Sequence, residues 1–404
     1  QSGGPTSVIN SSAAGVFLEA LKSPEITKVY GAAHGIKGVL DEQFYDIGLE
    51  DKKELELLKY TPSSALGSVR YKLKDVSVDD TDYKRILEVF KKYDIRYFFY
   101  NGGNDSMDTC NKISKFLNGS GWDCNVIGVP KTIDNDLFGT DHCPGFASAA
   151  KYIATTLMEI NLDAKVYNTG MVCVIEVMGR NAGWLTAAAS LAGYKGLGAD
   201  LIYLPEVAFD VDKFVSDVEG VLAKNDNKCI AVVSEGIKLA DGRYVGEFTA
   251  SKTDLFGHAQ LGGVGQMLAN VIKEKTGIKT RAIELSLMQR CGAHLASKVD
   301  VEEAFGAGAE AVKAAVSGET DKMVCFERDM STGHYVCKYK LLPLELAANT
   351  EKTVPLDWIT NNGTALSDKF VEYALPLIQG DAKAPLEDGL PRFAKLKKVL
   401  VEKL

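Results

Sequence analysis

Apolar residues along this chain alternate between two patterns. Short runs rich in β-branched and aromatic residues cover 96–100, 125–129, 172–177, 201–204, 229–233 and 281–285. Runs of that length without polar alternation predict strands buried on both faces. Between them the apolar spacing lengthens to the helical period. Segment 83–93 carries Ile86, Leu87, Val89 and Phe90, and segment 148–162 carries Tyr152, Ile153, Leu157 and Ile160. Segment 262–275 carries Val264, Met267, Leu268, Val271 and Ile272. Each gives a helix with one apolar face. Residues 8–20 and 301–316 predict two more helices, the latter with Asp300 able to cap its start and Gly318 its end. Runs 323–327 and 334–339, joined by the turn 329–333, predict a hairpin. Residues 343–364 look irregular, 367–378 form a last helix, and the basic tail 395–403 favours a solvated terminal helix.

Strands alternating with helices place the chain in the α/β class, with mainly parallel sheets and ligands at the carboxyl ends of strands. At 404 residues it can fill two domains. The expected division runs near 141–146, with a return after about Arg290. Residues 1–145 plus about 291–345 then form one domain, 146–290 the second, and 346–404 a C-terminal extension. No stretch is apolar for long enough to span a bilayer. The net charge of -8 argues against general nucleic-acid or membrane binding. Anionic ligands must then be held locally by Lys, Arg and helix N-termini. The eight cysteines are scattered with no Cys-x-x-Cys pair, which fits buried thiols in a reducing, cytoplasmic setting. The five histidines show no metal spacing and are given no catalytic role. The chain opens directly on a glycine turn, so a strand is expected before Gln1.

The chemistry gathers where apolar runs end. Ser2-Gly3-Gly4-Pro5-Thr6-Ser7 precedes a helical segment, the arrangement that binds anions at a helix N-terminus, but it lacks the Walker ending. Asn101-Gly102-Gly103-Asn104-Asp105-Ser106 again turns from a strand, with Asn104 or Asp105 able to offer oxygen to Mg²⁺. In Pro130-Lys131-Thr132-Ile133-Asp134-Asn135-Asp136 the two carboxylates are one residue apart and point the same way in an extended chain. Asp134 can accept a hydroxyl proton during a loose phosphoryl transfer. In Glu176-Val177-Met178-Gly179-Arg180 a guanidinium stands after a strand, able to bridge phosphoryl oxygens. Glu235, in Ser234-Glu235-Gly236, suits sugar hydroxyls, and Arg281 with Arg290 can cradle a fixed phosphate.

These strings, in this order and with Leu66-Gly67-Ser68-Val69-Arg70, resemble the phosphofructokinase family over nearly the whole chain. The resemblance implies two Rossmann-like three-layer α/β/α domains with the active site in the cleft between them. It also implies Mg²⁺-dependent transfer of a phosphoryl group to the 1-hydroxyl of fructose 6-phosphate, with homodimers or homotetramers sharing active sites across subunits. By position, Asp134 matches the base, Asp136 a second essential carboxylate, and Thr132 a residue between both substrates. Arg180 matches the transition-state arginine. Thr132, Ile133, Asp134, Met178, Gly179, Arg180, Glu235, Arg281, Leu287 and Arg290 match the sugar-phosphate side, with Arg281 reaching from another subunit. Gly4, Arg70, Gly103, Asp105, Ser106 and Lys131 match the phosphoryl-donor side, in the domain 1–145 plus 291–345. Members using ATP carry glycine where Asp105 and Lys131 stand. A carboxylate and a long cation in that space repel and obstruct an α-phosphate, which favours pyrophosphate. Asn104 replaces the more usual aspartate at the metal position, and Leu287 replaces a polar or aromatic ligand. Ala14 and Leu18 stand where regulated members have effector-site arginines, so no control is expected there. The alternatives are an ATP-dependent member, a sugar kinase acting on another acceptor such as sedoheptulose 7-phosphate, and a non-catalytic regulatory subunit.

Overall fold

In the computed structural model, which describes residues 1–248, 263–348 and 350–404, all six apolar runs become strands. A small antiparallel pair, β1 (Tyr30–Ala32) and β2 (Phe44–Asp46), precedes them. Then come β3 (Tyr97–Gly102), β4 (Asn125–Pro130), β5 (Met171–Val177), β6 (Leu201–Tyr203), β7 (Lys228–Ser234) and β8 (Thr280–Glu284), followed by the hairpin β9 (Lys322–Asp329) and β10 (Val336–Pro343). One sheet has the order β10-β9-β4-β3 and the other β6-β7-β5-β8. The second is wholly parallel, and the first is parallel apart from the hairpin. The longer helices are α1 (Ile9–Ala20), α2 (Thr81–Lys92), α3 (Asn104–Gly119), α4 (Phe146–Ala164), α5 (Val211–Leu222), α6 (Val264–Thr276), α7 (Lys298–Val316) and α8 (Asp368–Ala374).

Both sheets are covered on both faces, and the alternation along each strand shows why the runs are continuously apolar. Val126 of β4 packs with Met107, Cys110 and Ile113 of α3, while Ile127 and Val129 pack with Ala307 and Ala311 of α7. Val172 and Val174 of β5 meet Phe214 and Val218 of α5 and Leu268 of α6. Cys173 and Ile175 meet Ile153 and Leu157 of α4. A strand with period-two side chains and two covered faces needs apolar residues at every position.

Helices α1 and α7 cross so closely that a Cβ on Gly308 would lie 2.0 Å from the Ser12 carbonyl oxygen, and one on Gly15 would lie 2.0 Å from that of Phe305. Alanine at 308 should therefore force the helices apart. Its better helix propensity recovers at most about 1 kcal/mol. Gly308→Ala is expected to cost a net ~2 kcal/mol or more, read as a lower urea midpoint with an unchanged slope. A midpoint at the wild-type value would show that the crossing relaxes freely.

Three local expectations change. Asp300 does not cap α7. Ser297 stands at the cap, and the buried Asp300 carboxylate accepts from the backbone N–H groups of Gly145 and Ser148 at 2.9 Å, fixing the start of α4. Gly318, with φ +97°, does end that helix. The last helix stops at Ala374 rather than 378, because Pro376 has no N–H to continue it. The tail 395–403 is extended, not helical. It pairs beside β2 (Asp46 N–H to Val399 O at 2.9 Å, Val401 N–H to Phe44 O at 2.8 Å), and Glu50 accepts from the N–H groups of Lys397 and Lys398. Leu396 and Val401 are thereby delivered to two different apolar clusters, which one helix face could not do. The expected start of the 262–275 helix at Gly262, and His258, lie outside the described residues.

All eight cysteines are free and six are buried. No helix among the described residues is long and apolar enough to cross a membrane. A cavity of about 550 Å³ runs along the free edge of β3, between Phe17, Phe44, Phe90 and Tyr97, with Gln1 at its rim. It lies to one side of the strand ends where the polar motifs gather.

Candidate active site

Register places the motifs of the first sheet side by side. Gly102 lies opposite Pro130 at the carboxyl ends of β3 and β4, and the Lys131 N–H donates to Gly102 O at 2.9 Å. The chain then enters α3, whose first residues are Asn104 and Asp105. A Cβ on Gly102 would overlap Ser106 Oγ at 2.0 Å, so the turn requires glycine. The Ser2–Gly4 loop is tied to the same place by Ser2 N–H to Asn101 O at 2.9 Å and Ser68 Oγ to Gly3 O at 2.6 Å.

Lys131 is 4% exposed, and its Nζ donates to Gly4 O at 2.7 Å. Burial pushes its ammonium down to about 8 against the pull of Asp134 and Asp136, and the neighbouring Arg290 and Arg70 push the same way. Burial and Arg70 likewise lower Arg290, whose Nη1 would lie 3.0 Å from a Cβ on Gly4. Three cations thus converge on the glycine loop, an arrangement that suits a polyanion. Arg290 was expected on the sugar-phosphate side. Its Nη1 also borders the Gly4 loop, and the charges of Asp134 and Glu235 act on it.

Residues 132–145 form a closed loop, held at its neck by Thr132 N–H to Pro144 O at 3.2 Å. Thr132 Oγ1 accepts from the Asp134 N–H at 3.1 Å. Asn135, between the two carboxylates, takes φ +54°. Burial raises Asp134 to about 6, with Glu235 adding to the shift and Lys131 and Arg180 opposing it. Burial and Asp134 raise Asp136 to about 7. Asn104 Nδ2 donates to Asp136 Oδ2 at 2.9 Å, leaving Asn104 Oδ1 and Asp136 Oδ1 buried without a hydrogen-bond partner. Asp105 turns elsewhere, with a half-exposed carboxylate 4.0 Å from Lys72 Nζ.

The second sheet supplies the facing wall. Gly179 follows β5 and Glu235 follows β7, and Gly179 N–H donates to Glu235 Oε1 at 3.2 Å. Gly236 sits so near Arg180 O that a Cβ would lie 1.9 Å away. Burial lifts Glu235 to about 7, with Arg180 partly opposing. Met178 N–H donates to the buried Gln289 Oε1 at 3.1 Å. Arg281 and Leu287 do not join this cluster within one chain. Arg281 lies exposed on the edge strand β8, and Leu287 is 54% exposed.

The extension contributes a strap that sequence patterning missed. Lys352 N–H donates to Asp136 O at 2.7 Å, Asn181 Nδ2 to Glu351 Oε1 at 3.1 Å, and Trp184 Nε1 to Lys352 O at 2.9 Å. Val354 N–H and Gly183 N–H both donate to Glu206 Oε1, at 2.9 and 2.8 Å. The strap therefore joins the Asp134–Asp136 loop of one sheet to the Arg180–Gly183 loop of the other. Glu351 also raises both Asp134 and Asp136 through its charge. Glu351-Lys352-Thr353-Val354 has neither helical nor strand periodicity, and no residue type in it stands out.

Residues 1–315 match the Phosphofructokinase family. The chain belongs to the phosphofructokinase family. Over 408 residues it is 44% identical to the pyrophosphate--fructose 6-phosphate 1-phosphotransferase of Halomonas elongata, covering all of this chain and 96% of that one. A crystal structure of the pyrophosphate-dependent phosphofructokinase of Nitrosospira multiformis superposes with a TM-score of 0.90 at 42% identity, covering all of this chain and 97% of the other. The counterpart from Marinobacter aquaeolei gives 0.89 at 41%, covering 100% and 96%. The Gly102–Ser106 loop, the Lys131–Asp136 segment and the Met178–Arg180 turn each follow a strand, and the Ser2–Gly4 loop is tied to the first of them.

Proposed function

We propose that this phosphofructokinase family member transfers a phosphoryl group reversibly from pyrophosphate to O1 of fructose 6-phosphate, giving fructose 1,6-bisphosphate and phosphate. The observation that carries the choice of donor is the buried Lys131 ammonium bonded to Gly4 O between the two glycine loops. It meets a compact dianionic or trianionic donor and occupies the room a longer one needs. Gly4, Arg70, Gly103, Asp105 and Ser106 complete the pyrophosphate side. Asp105 offers a carboxylate where an α-phosphate would pass.

In the forward step Asp134 accepts the O1 proton as the O1–P bond forms and the bridging P–O bond of pyrophosphate breaks, releasing phosphate. Arg180 neutralises charge on the moving group, and Thr132 lies between the two substrates. Ile133, Met178, Gly179 and Glu235 shape the sugar site. Arg290 pairs with phosphate oxygens. Arg281, exposed on an edge strand, completes the 6-phosphate cradle of a second subunit, so the working form is a homodimer or homotetramer. Asn104 and Asp136, each with an orphaned buried oxygen, fit Mg²⁺, with Asp105 next to Asn104 in the chain. Bound there, Mg²⁺ would offset donor charge. Substrates this charged do not cross bilayers unaided, which fits a cytoplasmic enzyme.

The test is a coupled assay with fructose 6-phosphate and either donor. Turnover per KM with pyrophosphate is expected to exceed that with ATP by at least ~100-fold. Equal or better use of ATP would reject the reading of the donor site.

A further inference from the structure

The far end of the 132–145 loop holds a buried charged cluster that the reaction scheme above does not use. His142 is 1% exposed. Its Nδ1 lies 2.8 Å from Asp141 Oδ2 and its Nε2 lies 2.7 Å from Glu303 Oε2, on α7. Arg328 of β9 grips Asp141 with Nε at 3.1 Å and Nη2 at 3.0 Å. Burial disfavours the Asp141 carboxylate, but its hydrogen bonds with His142 and Arg328 hold it well below its ordinary value. Tyr335 donates its O–H to Glu303 Oε1 at 2.7 Å. The Phe326 ring lies against the imidazole at 4.9 Å, and Tyr339 and Cys337 of β10 close the far side.

Two carboxylate oxygens at hydrogen-bond distance from both ring nitrogens need two N–H donors. A neutral imidazole would turn one lone pair against a carboxylate. The cluster is also wired to the catalytic end of the loop. Tyr373 of α8 donates its O–H to Asp141 O at 2.8 Å and lies 2.8 Å from Asn135 Nδ2. Asn135 Oδ1 in turn accepts the Cys143 N–H at 2.8 Å. Lys352, on the strap, donates from Nζ to Asp141 O at 2.7 Å while its N–H holds Asp136 O. Asn135 is the residue between the two carboxylates.

We propose that His142 is a positioning residue for phosphoryl transfer: as an imidazolium clamped between Asp141 and Glu303, it fixes the loop that aims Asp134 and Asp136. The role rests on the phosphotransferase reading, but the charge on the ring does not. Burial pushes the imidazole down, and its hydrogen bonds to Asp141 and Glu303 more than offset this, leaving it above its ordinary value. The charged form is thus favoured by folding, fully below the unfolded value near 6.5. That contribution fades as pH rises through the higher folded value.

Two measurements test the proposal. Nitrogen resonances of ¹⁵N-histidine-labelled full-length protein without substrates should show one of its five rings carrying protons on both nitrogens at pH 8, and that signal should vanish in His142→Gln. In the coupled assay His142→Gln should lower kcat by roughly 10–100-fold with both KM values within about twofold, since misplacement of the base falls on the transition state. Tyr373→Phe keeps the ring packing, removes the link to Asn135, and should lower kcat in the same direction by several-fold. A singly protonated His142 ring at pH 8 overturns the proposal. So does wild-type kcat in a folded His142→Gln, or in Tyr373→Phe should His142→Gln not fold. A purely structural role would lower the unfolding midpoint of His142→Gln and leave kcat of the folded enzyme unchanged. Absence of all pyrophosphate-dependent turnover in the wild type would instead defeat the proposed function, with the nitrogen result unaffected.

Discussion

Asp134→Asn is expected to lower kcat by about 10²–10⁴-fold, with little change in either KM. The substitution is nearly isosteric. The loop keeps its Asp134 N–H to Thr132 Oγ1 bond and its closure at Pro144, neither of which uses the Asp134 side chain. What is lost is an anion placed to take the O1 proton. The surroundings suit that task. Burial and Glu235 raise the carboxyl to about 6, high enough to want a proton yet ionised at neutral pH. The ionised form is the active one, so kcat/KM of the wild type should fall as pH drops below about 6. Asp136 and Glu235 reach about 7, so the acid limb belongs to the group rather than to one residue. Steady-state rates of both proteins across pH 5–9 check the expectation. An Asp134→Asn enzyme within threefold of wild type at pH 7.5 would remove Asp134 as the base.

The fold was legible wherever one physical rule acted alone. Every strand covered on both faces announced itself as an apolar run, because neither face could carry a polar residue. Helices α2, α4 and α6 showed as 3.6-periodic stripes for the converse reason. The site was legible because parallel topology brings strand ends together. Gly102–Ser106 and Lys131–Asp136 are distant strings in the chain but neighbours once β3 and β4 pair. Long-range polar partners were not legible. Asp300 looked like a helix cap from its position, but Ser297 is the cap and Asp300 serves the start of α4. The amphipathic tail looked helical because lysines flank apolar residues, although Leu396 and Val401 go to separate clusters while Val399 and Leu400 stay exposed. Glu351 and His142 carried no signal at all. Their importance lies in partners more than 100 residues away. Arg281 shows the converse, a residue singled out by its string that one chain leaves outside the cleft.

Removing the Lys131 ammonium should produce the largest change in donor use. Its position is electrostatically unfavourable in the free enzyme. Burial and two arginines hold it down to about 8, and one carbonyl of Gly4 is its hydrogen-bond acceptor. A cation kept under such repulsion gains most when an anion arrives, so binding of pyrophosphate should be coupled to its protonation. Lys131→Met keeps much of the length and loses the charge. It is expected to reduce kcat/KM for pyrophosphate by about 100-fold, equivalent to roughly 2.8 kcal/mol for one buried charge-assisted contact. It should also abolish the decline in kcat/KM expected of the wild type above about pH 8, where the free ammonium loses its proton. Lys131→Gly with Asp105→Gly goes further. It removes the obstruction as well as the charge, and should raise the ratio of ATP to pyrophosphate use by at least ~10-fold even if total activity falls. The two variants separate the causes. If Met alone shifts the ratio as far as the double glycine, charge sets the choice and volume does not. If neither shifts it, Lys131 and Asp105 are not what keeps ATP out.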